Sequence, residues 1–292
     1  MTPLENRIHR LSCWRGAVKL APLTGGLSNI SFVAEDGAGK FVVRCVEDVA
    51  VHHVFRDRER AASIAAYKAG LAPEIVHTEP GLMVLRFVEG RTFVEADLGT
   101  NIPRIAALLQ ACHRTVGGHL AGPPNFFWVF HVIRDYARTL ETGGSPFVPE
   151  LPRFLALVGK LEEAQEPMPI VFGHHDLLAG NLIDDDKRLW LIDWEYGGFG
   201  TAMFDLANLA SNGGFGPAED TALLEAYFEN EVGDGVRRSF DAMKVASALR
   251  EAMWAMISDI HLKTPGADYK AHAREYLART ETAVGRFTDR HG

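Results

Sequence analysis

The sequence predicts an α+β fold in two lobes, a small N-terminal antiparallel β lobe with one main helix and a larger α-rich C-terminal lobe. Three observations lead there. Short apolar runs divided by turn residues occupy 17–47 and 74–88, one helical run at 55–71 interrupts them, and after Gly90 long stretches of helical periodicity take over. The change of character at 87–91 sets expected lobes of 1–88 and 89–292, with a cleft between them.

Taken in order, AVKLAPL, NISFVAE and KFVVRCVE read as three strands, separated by turn signals at Gly25-Gly26 and Asp36-Gly37. FRDRERAASIAAYKAGL reads as a helix, because it carries helix formers and ends on Gly70 with Pro73 beyond as a stop. EIVHT and LMVLRFV supply two more strands. Helical periodicity then predicts helices over 101–117, 126–141, 149–165, 218–232, 236–262 and 268–288, with a further helix at FDLAN. Residues 171–198 form a strand-rich island among them.

Composition limits the function classes. With 292 residues, 47% hydrophobic and 23% charged, the chain is long enough for two cores, and its net charge of −8 gives no global attraction for nucleic acid or an anionic membrane. Cys13, Cys45 and Cys112 are odd in number and far apart, which suits reduced thiols better than disulfides or zinc. No apolar leader stands at the N-terminus and no uncharged apolar run reaches membrane length, so a soluble cytoplasmic protein is expected. A homodimer is compatible with the sequence, which does not specify the oligomeric state.

The island VFGHHDLLAGNLIDDDKRLWLIDWEYGG carries the chemistry. His174 and Asp176 through Asn181 spell H-x-D-x-x-x-x-N, and an apolar strand then ends at Asp193. In phosphoryl transfer an Asp at the first position orients the attacking hydroxyl, while Asn and a second Asp offer the hard oxygen ligands that Mg²⁺ prefers. The ordered combination points to a kinase with Asp176, Asn181 and Asp193 as catalytic residues, Asn181 and Asp193 holding the metal, and ATP as donor.

HHDLLAGNLI, LIDWEYGG and FDLAN together resemble the choline/ethanolamine kinase family, within the aminoglycoside-phosphotransferase-like members of the protein-kinase-like superfamily. The resemblance implies a bilobal protein-kinase-like fold and a structural role for Asp205 beneath the catalytic loop. LTGGLSNISFVA then takes the place of a nucleotide-covering loop. There Gly25 and Gly26 let backbone amides approach phosphate, and Ser28 and Asn29 donate further hydrogen bonds. Arg44 stands where protein kinases place a phosphate-pairing lysine, with Glu59 as its candidate partner, and Phe87 and Val88 lie in the hinge expected to meet adenine. His174 is expected to shape the loop.

Two other motifs are set aside. GAGKF at 37–41 lacks Ser or Thr after Lys40, and Ala34 replaces the first glycine of a P-loop. His52-His53 and His174-His175 lack the i, i+4 spacing of a helical zinc pair.

Only WEYGGFGTAM separates Asp193 from FDLAN, which leaves no room for a peptide-docking activation segment, so a small-molecule alcohol is the expected acceptor. Candidate acceptor contacts, beside Asp176, are Glu195, Asn212, Glu251, Trp254 and Tyr269. Against the family pattern, Asn212 stands where a cation-facing glutamate is expected, Glu251 replaces a tryptophan one turn before Trp254, and His272 replaces a tyrosine. The expected activity is transfer of the γ-phosphoryl of ATP to an amino alcohol, choline or ethanolamine first. The alternatives are a kinase of thiamine, an aminoglycoside or another small alcohol, and a catalytically silent nucleotide-binding pseudokinase.

Overall fold

The structure is a computed structural model that describes residues 1–23, 30–262, 264 and 266–292. Five antiparallel strands form the N-terminal sheet, in the order β1-β2-β3-β5-β4: β1 Lys19–Leu23, β2 Ile30–Asp36, β3 Gly39–Cys45, β4 Ile75–Glu79 and β5 Leu82–Arg86. Period-two alternation puts Phe32, Ala34, Phe41, Val43, Leu82 and Val84 into one small core, closed by Ile8 and Leu11. Arg44 follows Val43 and so leaves on the opposite face.

Helix α1, Pro3–His9, was not anticipated. Its signal was present: Thr2 and Glu5 form a reciprocal capping box, and Pro3 occupies the first helical position.

Helix α2, Arg56–Lys68, buries Glu59, Ala62, Ser63, Ala65 and Ala66. The helix falls within the expected N-terminal lobe, yet its buried alanines join the larger, C-terminal core. Small side chains allow that close seat, and the helix thereby connects the β sheet to the rest of the chain.

The α-rich part begins with β6 Arg91–Thr92 and α3 Glu95–Thr100, a short helix whose first turn is held by Asp97 accepting from the Val94 amide at 2.7 Å. Helices α4 Ile102–Thr115, α5 Val129–Thr142 and α6 Leu151–Glu163 follow. The strand-rich island supplies β7 Ile170–Gly173, β8 Leu182–Asp184, β9 Leu189–Leu191 and β10 Gly198–Thr201. The chain then closes with α7 Ala202–Asn212, α8 Pro217–Phe228, α9 Asp234–His261 and α10 Tyr269–His291. Helix α9 is 28 residues long and is buried from Ser239 to Ser258, packing against α5, α6, α7 and α10. It is the central post of this core. The predicted helix over 218–232 stops four residues early, because Glu229 turns left-handed at φ 58°.

Strands β6, β8 and β9 form one small sheet, and β7 pairs with β10 in another. These pairings bring the two ends of the island together. Among the described residues, no helix is long and apolar enough to cross a membrane.

Candidate active site

The loop from Gly173 to Asn181 is suspended from α7. Asp205, fully buried in the first turn of that helix, accepts from the His174 amide at 2.8 Å and the His175 amide at 2.7 Å, and contacts His113 Nε2 at 2.9 Å. One turn on, Asn208 accepts from the Leu177 amide at 2.6 Å and donates to Ser247 of α9 at 3.0 Å. The i, i+3 spacing of FDLAN therefore puts two loop-holding side chains on one helix face. Burial alone would raise the Asp205 carboxyl, but the His113 hydrogen bond and the neighbouring histidines hold it well below the usual carboxylate range.

His175 adopts φ 64°, a left-handed conformation immediately before Asp176. Its Nδ1 lies 3.1 Å from the Tyr196 carbonyl and its ring stacks on Phe127, while Nε2 is buried without a partner. Protonation there is opposed by burial, which lowers its pKa to about 4; burial, reinforced by the Arg250 charge, likewise lowers His52 to about 3. The unfolded chain therefore binds protons at these positions between the ordinary histidine pKa and those values, so stability falls as pH drops through that window. Denaturant unfolding at pH 7 and pH 5 is expected to show a loss of about 2 kcal/mol per histidine, and His52→Gln or His175→Gln should flatten the slope.

Gly173 sits where a side chain has no room. A Cβ there would lie 2.6 Å from His175 Nε2 and 2.9 Å from Asp205 Oδ2. Gly173→Ala is expected to displace the loop, lowering turnover by about tenfold, the equivalent of about 1.4 kcal/mol, and stability by about 1–3 kcal/mol. Parallel kinetic and melting measurements separate the two.

The hairpin β8–β9 brings the remaining two motif residues together. Asn181 Nδ2 donates to the Asp176 carbonyl at 2.8 Å, and the Ile192 amide donates to the Asn181 carbonyl at 3.0 Å, which puts Asp193 beside Asn181. Asp193 takes φ 65°, a conformation Asp tolerates better than most residues. With its amide nitrogen engaged, Asn181 has an Oδ1 that no described residue occupies, and Asp193, whose Oδ1 accepts from Arg44, has Oδ2 as a further oxygen. Two hard oxygens on adjacent segments fit an octahedral divalent cation that keeps several waters. Among the described residues, no cluster of three or more His, Cys, Asp or Glu offers an all-protein metal cage.

A chain of alternating charges closes the site from the N-terminal side. Arg44 of β3 pairs with Glu59 of α2 and reaches Asp193 at 2.8 Å, while Arg56 bridges Glu59 at 2.6 Å and Glu195 at 2.9 Å. The Arg44–Glu59 pair expected from the sequence is present. Glu195 stands against Arg56, not free toward an acceptor, and burial together with the Asp193 charge pushes its pKa up. Asp176 lies half-buried among these carboxylates. Burial raises its pKa well above the ordinary value, Arg250 opposes this, and Glu251, Glu195 and Asp193 add to it.

The other expected contacts fall in three places. Gly25, Gly26, Ser28 and Asn29 lie outside the described residues. Phe87 and Val88 follow β5 as a half-buried connection, with the Phe87 amide donating to the Lys40 carbonyl at 3.1 Å. Asn212, Glu251, Trp254 and Tyr269 come together beyond Asp176, along with His272 and Tyr276. Asn212 donates to the Leu177 carbonyl at 3.2 Å, so it braces the Asp176 loop directly. Trp254 meets Tyr269 edge-on at 5.8 Å and His272 at 6.0 Å, and His272 lies 4.7 Å from Tyr276. A separate cavity of about 870 Å³ along α10, lined by Lys244, Phe215, Arg279 and Phe287 among others, contains none of the expected site residues.

A model of the phosphotransferase enzyme family, APH, matches residues 19–242, a span holding both the N-terminal sheet and the whole strand-rich island. The chain belongs to that family. The APH fold is protein-kinase-like. Superposition on a crystal structure of a choline/ethanolamine kinase family protein from Mesorhizobium loti gives a TM-score of 0.78 at 26% identity, covering 96% of this chain and 93% of the other. Among sequence relatives, LicA of Haemophilus influenzae is 26% identical over 214 residues, 70% of this chain and 61% of LicA. A probable ethanolamine kinase of Arabidopsis thaliana is 27% identical over 273 residues, 80% of this chain and 71% of the relative. This APH-family chain thus spans less than two thirds of the LicA relative's length.

Several working residues escaped the sequence reading. Asn208 had a signal, its i+3 spacing from Asp205, and Arg56 had one in its i, i+3 spacing to Glu59. His113 and Tyr276 come from distant helices with no local pattern. Arg250 is 1% exposed, although an arginine on a helix ordinarily reads as surface.

Proposed function

We propose that this protein transfers the γ-phosphoryl group of ATP to the hydroxyl of a small amino alcohol, choline or ethanolamine first. The observation that carries the reading is the convergence of Asp176, Asn181 and Asp193 on one hydrogen-bonded loop and hairpin, facing the Arg44–Glu59 pair. Asp176 accepts the hydroxyl proton as the oxygen attacks phosphorus. The new bond joins that oxygen to the γ-phosphorus, the bond to the bridging oxygen breaks, and ADP leaves with the electron pair. A carboxyl already raised by burial is suited to receiving that proton. Arg44, fixed by Glu59, sets its guanidinium charge against the phosphate oxygens. Asn181 and Asp193 hold Mg²⁺, which when bound supplies charge neutralisation for the phosphates.

The nucleotide enters between the expected lobes 1–88 and 89–292, and the acceptor enters from the side of Trp254 and Tyr269. The likeness of the chain to the Mesorhizobium loti protein over nearly its full length supports this assignment. A Mg-ATP-dependent assay with choline, ethanolamine, thiamine and an aminoglycoside mixture tests it, run beside Asp176→Asn. Acceptor-dependent ADP release that drops by at least about 100-fold in the variant is expected. Mg-ATP binding with no turnover on any acceptor would favour the silent nucleotide-binding alternative.

A further inference from the structure

Glu251 lies among the expected acceptor contacts, but its charge is already shared. Arg250 Nη1 meets Glu251 Oε2 at 2.8 Å from beneath, and His272 Nε2 meets Oε1 at 3.0 Å from α10. The Glu251 and His272 side chains keep 17% and 27% exposure, whereas that of Arg250 keeps 1%, so the pair is open to an incoming group and the guanidinium is buried. Burial opposes the Glu251 charge, yet the His272 hydrogen bond and the Arg250 charge hold its pKa down at about 2. The carboxylate is therefore ionised, fixed in direction and electrostatically compensated.

A quaternary ammonium has no N–H to donate. It is held by a net negative field and by open aromatic faces. Here the guanidinium behind Glu251 weakens the field, and His52 stacks on Trp254 at 5.0 Å and 28°, covering one face of the indole. What the pocket retains is directional. Among the described residues, each Glu251 oxygen accepts one hydrogen bond and keeps capacity for another, and Asn212 Oδ1 has the long 3.4 Å contact from Tyr276. Only an ammonium that carries N–H bonds can use these acceptors.

Building on the kinase reading above, we propose that Glu251, buttressed by Arg250 and His272, makes this pocket selective for alcohols bearing a protonated amine with N–H bonds, and against quaternary ammonium alcohols. Glu251 is the specificity-determining residue. Arg250 and His272 are positioning residues that act through it.

The test is a methylation series, ethanolamine, N-methylethanolamine, N,N-dimethylethanolamine and choline, with kcat/KM measured for each under Mg-ATP on the full-length protein. Efficiency is expected to fall along the series, with choline at least about tenfold below ethanolamine, the factor that one charge-assisted hydrogen bond provides. In Glu251→Gln the ratio should shrink by about tenfold through the KM for ethanolamine, with kcat less affected. If that variant unfolds because Arg250 loses its anion, His272→Phe on the open side of the pair should narrow the ratio as well. Choline used as well as or better than ethanolamine overturns this inference and leaves the kinase reading standing, as does an unchanged ratio in a folded variant. No turnover of any member of the series, with Mg-ATP still bound, overturns the amino-alcohol reading and this inference with it.

Discussion

Replacing Asp193 by Asn is expected to lower kcat by about 10³-fold while leaving the fold in place. Asn is the informative substitution because Asp193 sits at φ 65°, where Asn is tolerated and Ala would add backbone strain of its own. The amide keeps the shape of the side chain and an acceptor for Arg44, which also retains Glu59 as its ionic partner. What disappears is the negative charge next to Asn181, the feature that suits the pair to a divalent cation. Thermal unfolding should move by the equivalent of about 1 kcal/mol or less, since the side chain is partly solvated and Arg44 stays paired. Turnover near that of the wild type, measured over a range of Mg²⁺ concentrations, would remove Asp193 from the metal site.

The second large effect is on stability. Asp205→Ala should cost about 3–5 kcal/mol in denaturant unfolding, because it removes the acceptor of two buried amides and the anionic partner of His113 at once. Asp205→Asn keeps one acceptor oxygen but turns a donor toward an amide, so it should fall between the alanine variant and the wild type. The pH dependence follows from the depressed pKa of Asp205. Its contribution is fully present above the ordinary carboxylate pKa and is lost only as pH falls toward its folded value, below the window in which His52 and His175 act. A loss under about 1 kcal/mol in Asp205→Ala would show that the loop is held by packing rather than by this carboxylate.

The strands, the long helices and the motif spacing were legible because each is encoded locally, and the Arg44–Glu59 pair was reached through the resemblance to kinases. Alternating apolar residues declare a strand, and H-x-D-x-x-x-x-N declares a loop whose chemistry depends on spacing. The environment of Glu251 was not legible in the same way. Its partners are one chain neighbour and a residue of the next helix, and whether a carboxylate is free or compensated depends on which helix faces meet. Glu195 shows the same limit: its type suggested an acceptor contact, but Arg56 reaches it from the other end of the chain. The cysteines illustrate the reverse case. Free thiols were expected from number and spacing, and Cys13, Cys45 and Cys112 are all unpaired in the structure.

The ion chain Asp193–Arg44–Glu59–Arg56–Glu195 runs unbroken from the end of the hairpin through β3 and α2. Only residues 194–201 lie between Asp193 and the start of α7, whose first turn bears Asp205, too few for a long inserted segment. Each guanidinium of the ion chain is held between two carboxylates, so its direction is set by the fold before any ligand arrives.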